Sequence, residues 1–180
     1  MGFFDRFKTK NNENLNMIYA PMTGEAKNIG ECEDPVFADE IVGKGTMIIP
    51  SEGKLYAPVD GKISMIADTG HAVGITSTNG FEILIHIGLD TVELNGDPFN
   101  IIASQDQDIK KGDLLLEFDI EKIKSSGKST QSPVIITNPD NYEISVLKTG
   151  NVNHGDELIE AKWRQDYEIN CNRCRRDSFK

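Results

Sequence analysis

The sequence has little cysteine, few aromatic residues and a shortage of positive charge, and each shortage narrows what the chain can be. Its three cysteines are an odd number, so a disulfide-stapled secreted fold is not expected. The 19 Lys and Arg are outnumbered by 29 Asp and Glu, for a formal net charge of −10. That charge argues against non-specific nucleic-acid binding and favours basic partners. No apolar run approaches a membrane span, and no signal-peptide hydrophobic core follows the start. A cytoplasmic location is therefore the expectation. Helical periodicity is also scarce, with no such pattern longer than about three turns. At 180 residues the chain is long enough for one well-buried core.

What is present is a succession of short apolar runs from Met17 onward. They fall at 17–20, 46–49, 54–57, 61–66, 114–118, 133–137 and 144–147, with a last strand through Leu158, Ile159 and Glu160. Gly, Pro, Asn and Asp punctuate them, at Pro21 to Gly24, Pro58 to Gly61, Lys110 to Asp113 and Asn138 to Asp140. Many short strands at this spacing predict an all-β sandwich or barrel. Short helical turns are expected near 34–42, 99–103 and 120–125. Tyr19-Ala-Pro-Met-Thr-Gly-Glu25 echoes Tyr56-Ala-Pro-Val-Asp-Gly-Lys62. The echo predicts a duplicated hairpin and a pseudo-symmetric sandwich.

Residues 1–16 read as a flexible arm. Phe3, Phe4 and Phe7 would cluster on one side of a short helix, with Arg6, Lys8 and Lys10 beside them. Such a helix in residues 1–10 could make weak contact with an anionic membrane, but isolated helices this short are marginal. Residues 17–162 form the expected domain. Residues 163–180 read as a disordered tail of unknown role. It holds Cys171 and Cys174 at CxxC spacing without the further ligands a zinc site needs.

Histidine is as scarce as cysteine, and two of the three lie at opposite ends of one predicted β-hairpin, His71 to His86. Asn79-Gly80 is a strong hairpin signal. A four-residue loop, 77–80, would place His71 directly opposite His86. A two-residue Asn79-Gly80 turn would pair His71 with Gly88 and leave His86 diagonal to it. Both registers put the two imidazoles on one face, close enough to hold a phosphoryl group or a metal ion. Gly88 would allow a close backbone approach to a ring. Val36, Phe37, Ile41 and Val42 form one apolar patch, either core or docking surface.

The chain resembles the glucose-family enzyme IIA of the bacterial phosphoenolpyruvate:sugar phosphotransferase system. The resemblance rests on Ala20-Pro-Met-Thr-Gly-Glu25, Pro35-Val-Phe-Ala38, Ile41-Val-Gly43, Ala57-Pro-Val-Asp-Gly61, Thr69-Gly-His-Ala72, Ile85-His-Ile-Gly-Leu-Asp-Thr-Val-Glu-Leu94 and Ser132-Pro-Val-Ile-Ile-Thr-Asn138. It implies an antiparallel β-sandwich of hairpins with a shallow site on one face. It implies that His86 takes a phosphoryl group from the phosphocarrier HPr and passes it to the IIB domain of a sugar permease. His71 falls at the helper histidine, Thr69 at the residue that orients it, and Gly88 at the backbone carbonyl that holds the His86 ring. The implied docking face is Val36, Phe37, Ile41, Val42, Leu84 and Val92, flanked by Asp34 and Asp90. A further implied class of partner is permeases and enzymes regulated by the unphosphorylated form. Ala67 and Gly74 stand where some members carry phenylalanine.

Two rival chemistries are weighed against this. A zinc hydrolase would need a His-x-His pair, and His86 is followed by Ile87 and Gly88, so no intrinsic metal or cofactor is expected. A swinging-arm carrier needs a lysine at a hairpin tip, and 77–80 has none.

Overall fold

A computed structural model describes residues 17–164. Fourteen strands are formed: β1 (Met17–Tyr19), β2 (Gly24–Asn28), β3 (Lys44–Pro50), β4 (Lys54–Tyr56), β5 (Gly61–Ile66), β6 (Ala72–Ser77) and β7 (Glu82–His86) in the first part. They are followed by β8 (Phe99–Ile101), β9 (Asp108–Ile109), β10 (Leu114–Phe118), β11 (Ser132–Ile136), β12 (Tyr142–Val146), β13 (Gly150–Val152) and β14 (Glu157–Trp163). The only α-helices among the described residues are α1 (Pro35–Ala38) and α2 (Ile120–Ser125).

The strands make an antiparallel sandwich. One sheet has eight strands in the order β13-β2-β3-β11-β7-β6-β5-β9; two three-stranded sheets are ordered β1-β14-β12 and β4-β10-β8. Alternation along the large sheet decides its two faces. Ile48, Ile63, Val73, Ile75, Ile83, Ile85, Val134 and Ile136 point inward and meet Ile18, Leu55, Leu116 and Ile159 of the smaller sheets in one core. Met47 and Ile135 point outward, and a second apolar cluster forms over them from Ile29, Cys32, Phe37 and Leu89. The candidate site lies on this outer face.

The repeated motif is real in three dimensions. Tyr19 N–H donates to Pro58 O at 3.1 Å, and its counterpart Tyr56 N–H donates to Pro21 O at 2.8 Å. Ala20 N–H donates to Asp156 O and Ala57 N–H to Asp113 O, both at 2.8 Å. His154 N–H donates to Thr23 Oγ1, while Lys111 N–H donates to Asp60 Oδ1. The strand order β13-β2-β3-β11 is met across the β11–β7 pair by β9-β5-β6-β7, the same series inverted. This is a duplicated sandwich built on a pseudo-twofold axis.

Local chemistry sets the ends of the helices. Asp34 Oδ1 accepts from Val36 N–H at 2.9 Å and Pro35 opens α1, a favourable N-terminus. Left-handed Glu40 (φ +55°) then stops it, so the helical turn expected over 34–42 is four residues long. Asp119 caps α2 through Lys122 N–H at 3.0 Å. The expected helical turn at 99–103 is instead β8, with Phe99 paired to Phe118 and Ile101 to Leu116. A short apolar run cannot tell strand from helix by periodicity alone, and here edge pairing to β10 decides it. The last strand runs through Trp163, one residue beyond the expected domain end. The Trp163 ring packs on Tyr142 at 4.6 Å, and Arg164 Nε donates to Tyr142 O. The aromatic arm and the CxxC pair fall outside the described residues.

Candidate active site

The β6–β7 hairpin brings the two histidines together, but not in either expected register. Ala72, not His71, lies opposite His86, and Ser77 N–H donates to Phe81 O at 2.9 Å. The loop is therefore the three residues 78–80, closed by Gly80 at φ +87° and by Ser77 Oγ accepting from Phe81 N–H at 2.9 Å. An odd loop length reverses the parity that either even loop would give. Strict alternation would send the His71 side chain into the core. The strand begins only at Ala72, however, and the chain before it bends, with Gly70 at φ +75°. Ile87 N–H donates to His71 O at 2.7 Å and fixes that bend. The rings then meet edge to face, centroids 5.0 Å apart at 66°.

Each ring is held from one side. His86 Nδ1 lies 2.7 Å from Gly88 O. A carbonyl only accepts, so Nδ1 carries the proton and Nε2 holds the lone pair of the neutral ring. Gly88 has φ +69°, and a Cβ there would lie 2.5 Å from Thr91 Cγ2 and 2.7 Å from Ser129 O. Only glycine fits this turn. Thr69 Oγ1 lies 2.5 Å from His71 Nδ1. Burial pushes the His86 imidazole below the ordinary histidine value, against the Gly88 bond and the charges of Asp34 and Asp90, which pull it up. Burial and the neighbouring His86 lower His71 likewise. Both rings are therefore poised neutral near pH 7.

The residues of the implied docking face differ widely in exposure. Val36 (41% exposed), Ile41 (70%) and Val92 (48%) are open to solvent. Phe37 does not belong to an exposed ring. It is 6% exposed, its ring packs on His86 at 5.4 Å, and it fills the outer cluster. Val42 and Leu84 are half-buried against the same cluster. Asp34 and Asp90 line a cleft of about 410 Å³ with Glu33, Leu89 and Lys128. Lys128 is paired with Glu93. A larger cleft of about 600 Å³, lined by Ser51, Phe99, Phe118 and Asp119, involves none of these residues.

Met65 was missed. Counting two from inward-facing Ile63 predicts that Met65 faces the core. A bulge between them shifts the parity, and Met65 pairs with Gly74 on the outer face, 40% exposed. A Cβ at Gly74 would be 3.4 Å from Met65 Cβ, so the methionine covers the space the glycine leaves. Among the described residues no group of three His, Cys, Asp or Glu side chains could hold a metal ion.

A family model described as "phosphoenolpyruvate-dependent sugar phosphotransferase system, EIIA 1" matches residues 16–142, which contain every residue of the site. The chain belongs to this family. Among solved structures, the EIIA fold here is similar to glucose permease IIA from Mycoplasma capricolum, at 38% identity and a TM-score of 0.76, covering 79% of this chain and 94% of that one. A structure of Helicobacter pylori Csd3 aligns at 11% identity and a TM-score of 0.43, over 89% of this chain and 39% of that one, a likeness too slight to bear on fold or activity. EIIA domains are phosphotransferase components that work with HPr and IIB domains in sugar transport. No helix of the described residues is long and apolar enough to cross a membrane.

Proposed function

We propose that this EIIA protein is a cytoplasmic phosphoryl relay. His86 Nε2 takes the group from phospho-HPr and returns it to a IIB domain of a glucose-class permease. The observation that carries the reading is the 2.7 Å contact between His86 Nδ1 and Gly88 O, because it leaves Nε2 as the nucleophile. Nε2 attacks phosphorus and forms a new N–P bond as the donor's P–N bond breaks; that His86 N–P bond breaks in turn when the acceptor's nucleophile attacks the same phosphorus. His71 supports the group in flight. With the Thr69 hydroxyl donating to Nδ1, the proton of the neutral His71 ring is on Nε2, which donates it as a hydrogen bond to a phosphoryl oxygen. Alignment and charge stabilisation are the whole of the protein's task in such a transfer.

The exposed Val36, Ile41 and Val92 supply apolar contact, and Asp34 and Asp90 attract the basic groups of a carrier. Both carboxylates raise the proton affinity of His86, so a partner's cation that neutralises them acts on the same ring electrostatically.

The test is incubation with phosphoenolpyruvate, enzyme I and HPr, followed by intact mass. One acid-labile phosphate is expected, absent from His86→Ala. His71→Ala is expected to load but to pass the group on slowly. A wild type that takes no phosphate sinks the proposal.

A further inference from the structure

Two fully buried hydroxyls stand behind the site, Thr91 and Ser132, both 0% exposed. Neither hydroxyl hydrogen-bonds a histidine. Both clamp the one peptide that enters Gly88, the Ile87–Gly88 unit, from its two ends. Thr91 Oγ1–H donates to Ile87 O at 2.6 Å. Gly88 N–H donates to Ser132 Oγ at 3.1 Å, and Ser132 Oγ–H donates on to Thr130 O at 3.0 Å. The next peptide is anchored in the same way, with its carbonyl on His86 Nδ1 and its N–H, that of Leu89, on Ser129 O at 3.0 Å.

The arrangement answers a mechanical problem. The carbonyl that fixes the His86 proton belongs to a glycine, because nothing larger fits at that φ. Glycine is also the residue whose φ and ψ are least restrained. The stiffness the carbonyl needs has to come from outside it. We propose that Ser132 and Thr91 are positioning residues whose hydroxyls lock the Ile87–Gly88 peptide, fix the base from which the Gly88 carbonyl projects, and thereby hold His86 in the Nδ1–H form. The inference deepens the relay reading and rests on it for its kinetic consequence. Neutral histidine in water favours the Nε2–H form, which has no lone pair on the attacking nitrogen. A Gly88 peptide free to turn would let that form return.

The test uses the full chain, labelled with ¹⁵N, at pH 8, where both rings are neutral. Two-bond ¹H–¹⁵N correlations report which nitrogen of His86 carries the proton. Ser132→Ala removes the acceptor for Gly88 N–H, and Thr91→Val removes the donor to Ile87 O without changing volume. Each is expected to raise the Nε2–H population and to lower kcat for transfer from phospho-HPr roughly tenfold with KM unchanged, the scale of one lost buried hydrogen bond. Thr91→Ser keeps the hydroxyl and is expected to keep the wild-type tautomer. Ser77→Ala is the control, since Ser77 Oγ also accepts a backbone N–H, that of Phe81, at the far end of the hairpin. A wild-type tautomer and kcat in both Ser132→Ala and Thr91→Val overturn the proposal. An equal tautomer shift in Ser77→Ala does so too, because it would mark general loosening. The tautomer is read without any partner protein, so a wild type that HPr cannot label would defeat the relay while leaving this question decided.

Discussion

Replacing Gly88 by alanine tests the site's geometry most directly. The backbone there sits at φ +69°, and the new Cβ would lie 2.5 Å from Thr91 Cγ2 and 2.7 Å from Ser129 O. Ordinary contact begins at 3.4 Å, so the loop has to move by close to 1 Å. Ser129 O is backbone and accepts from Leu89 N–H, so it cannot swing aside as a side chain would. The left-handed conformation costs about 1–2 kcal/mol for a residue with a Cβ. Crowding adds about 1–3 kcal/mol. Together the loss is about 2–5 kcal/mol, which for a domain of this size lowers Tm by about 5–15 °C. The same movement drags the carbonyl off His86 Nδ1, and an ångström of misplacement near a reacting atom is worth up to ~100-fold in rate. Thermal melts and single-turnover phosphorylation of Gly88→Ala measure both. A variant that melts with the wild type and loads at its rate would show that neither the crowding nor the carbonyl matters.

Three other outcomes are expected. His86 and His71 titrate below 6.5 in the folded chain because of burial. The unfolded chain then binds more protons between the two sets of values, and the stability this contributes above 6.5 is lost as pH falls through the folded values. The loading rate should hold to pH 6.5 and decline only below it, and a profile with its midpoint at or above 6.5 refutes the burial argument. Phe37→Ala empties a buried volume under His86 and should cost about 3–5 kcal/mol in urea melts while raising the His86 titration midpoint. Thr69→Val removes the hydroxyl on His71 Nδ1; the protein should load normally, pass the group to IIB slowly, and lose less than about 1.5 kcal/mol of stability.

The strands at 61–66 and 114–118 and the helix at 120–125 were legible to the residue, because short apolar runs bounded by turn residues are local signals. The pairing of the two histidines was legible as a fact and misread as a register. Loops of two, three or four residues all carry the same Asn79-Gly80 signal, and the pairing of Ser77 with Phe81 that selects three is made on folding. The bulge that turns Met65 outward lies between ordinary strand residues and carries no glycine to announce it. Phe37 looked equally suited to a core or a docking ring; only the tertiary position of α1 over Met47 and Ile135 settles it as core. Thr91 and Ser132 passed unnoticed as site residues because a hydroxyl in sequence says nothing of the peptide it will grip.

The pseudo-twofold axis has a consequence for traffic. Gly24 pairs with Pro50 as Gly61 pairs with Ser77, and Thr46 pairs with Val134 as Val73 pairs with Ile85. The axis therefore carries His86 onto Ile135, a buried aliphatic in the cluster that α1 roofs over. Of the two outward patches the duplication created, one is sealed and one is open. A carrier with a single berth cannot hold its donor and its acceptor together. On the proposed relay, loading and unloading take turns, and an acceptor in excess that lingers after delivery becomes a competitor of the donor, throttling the flow it depends on.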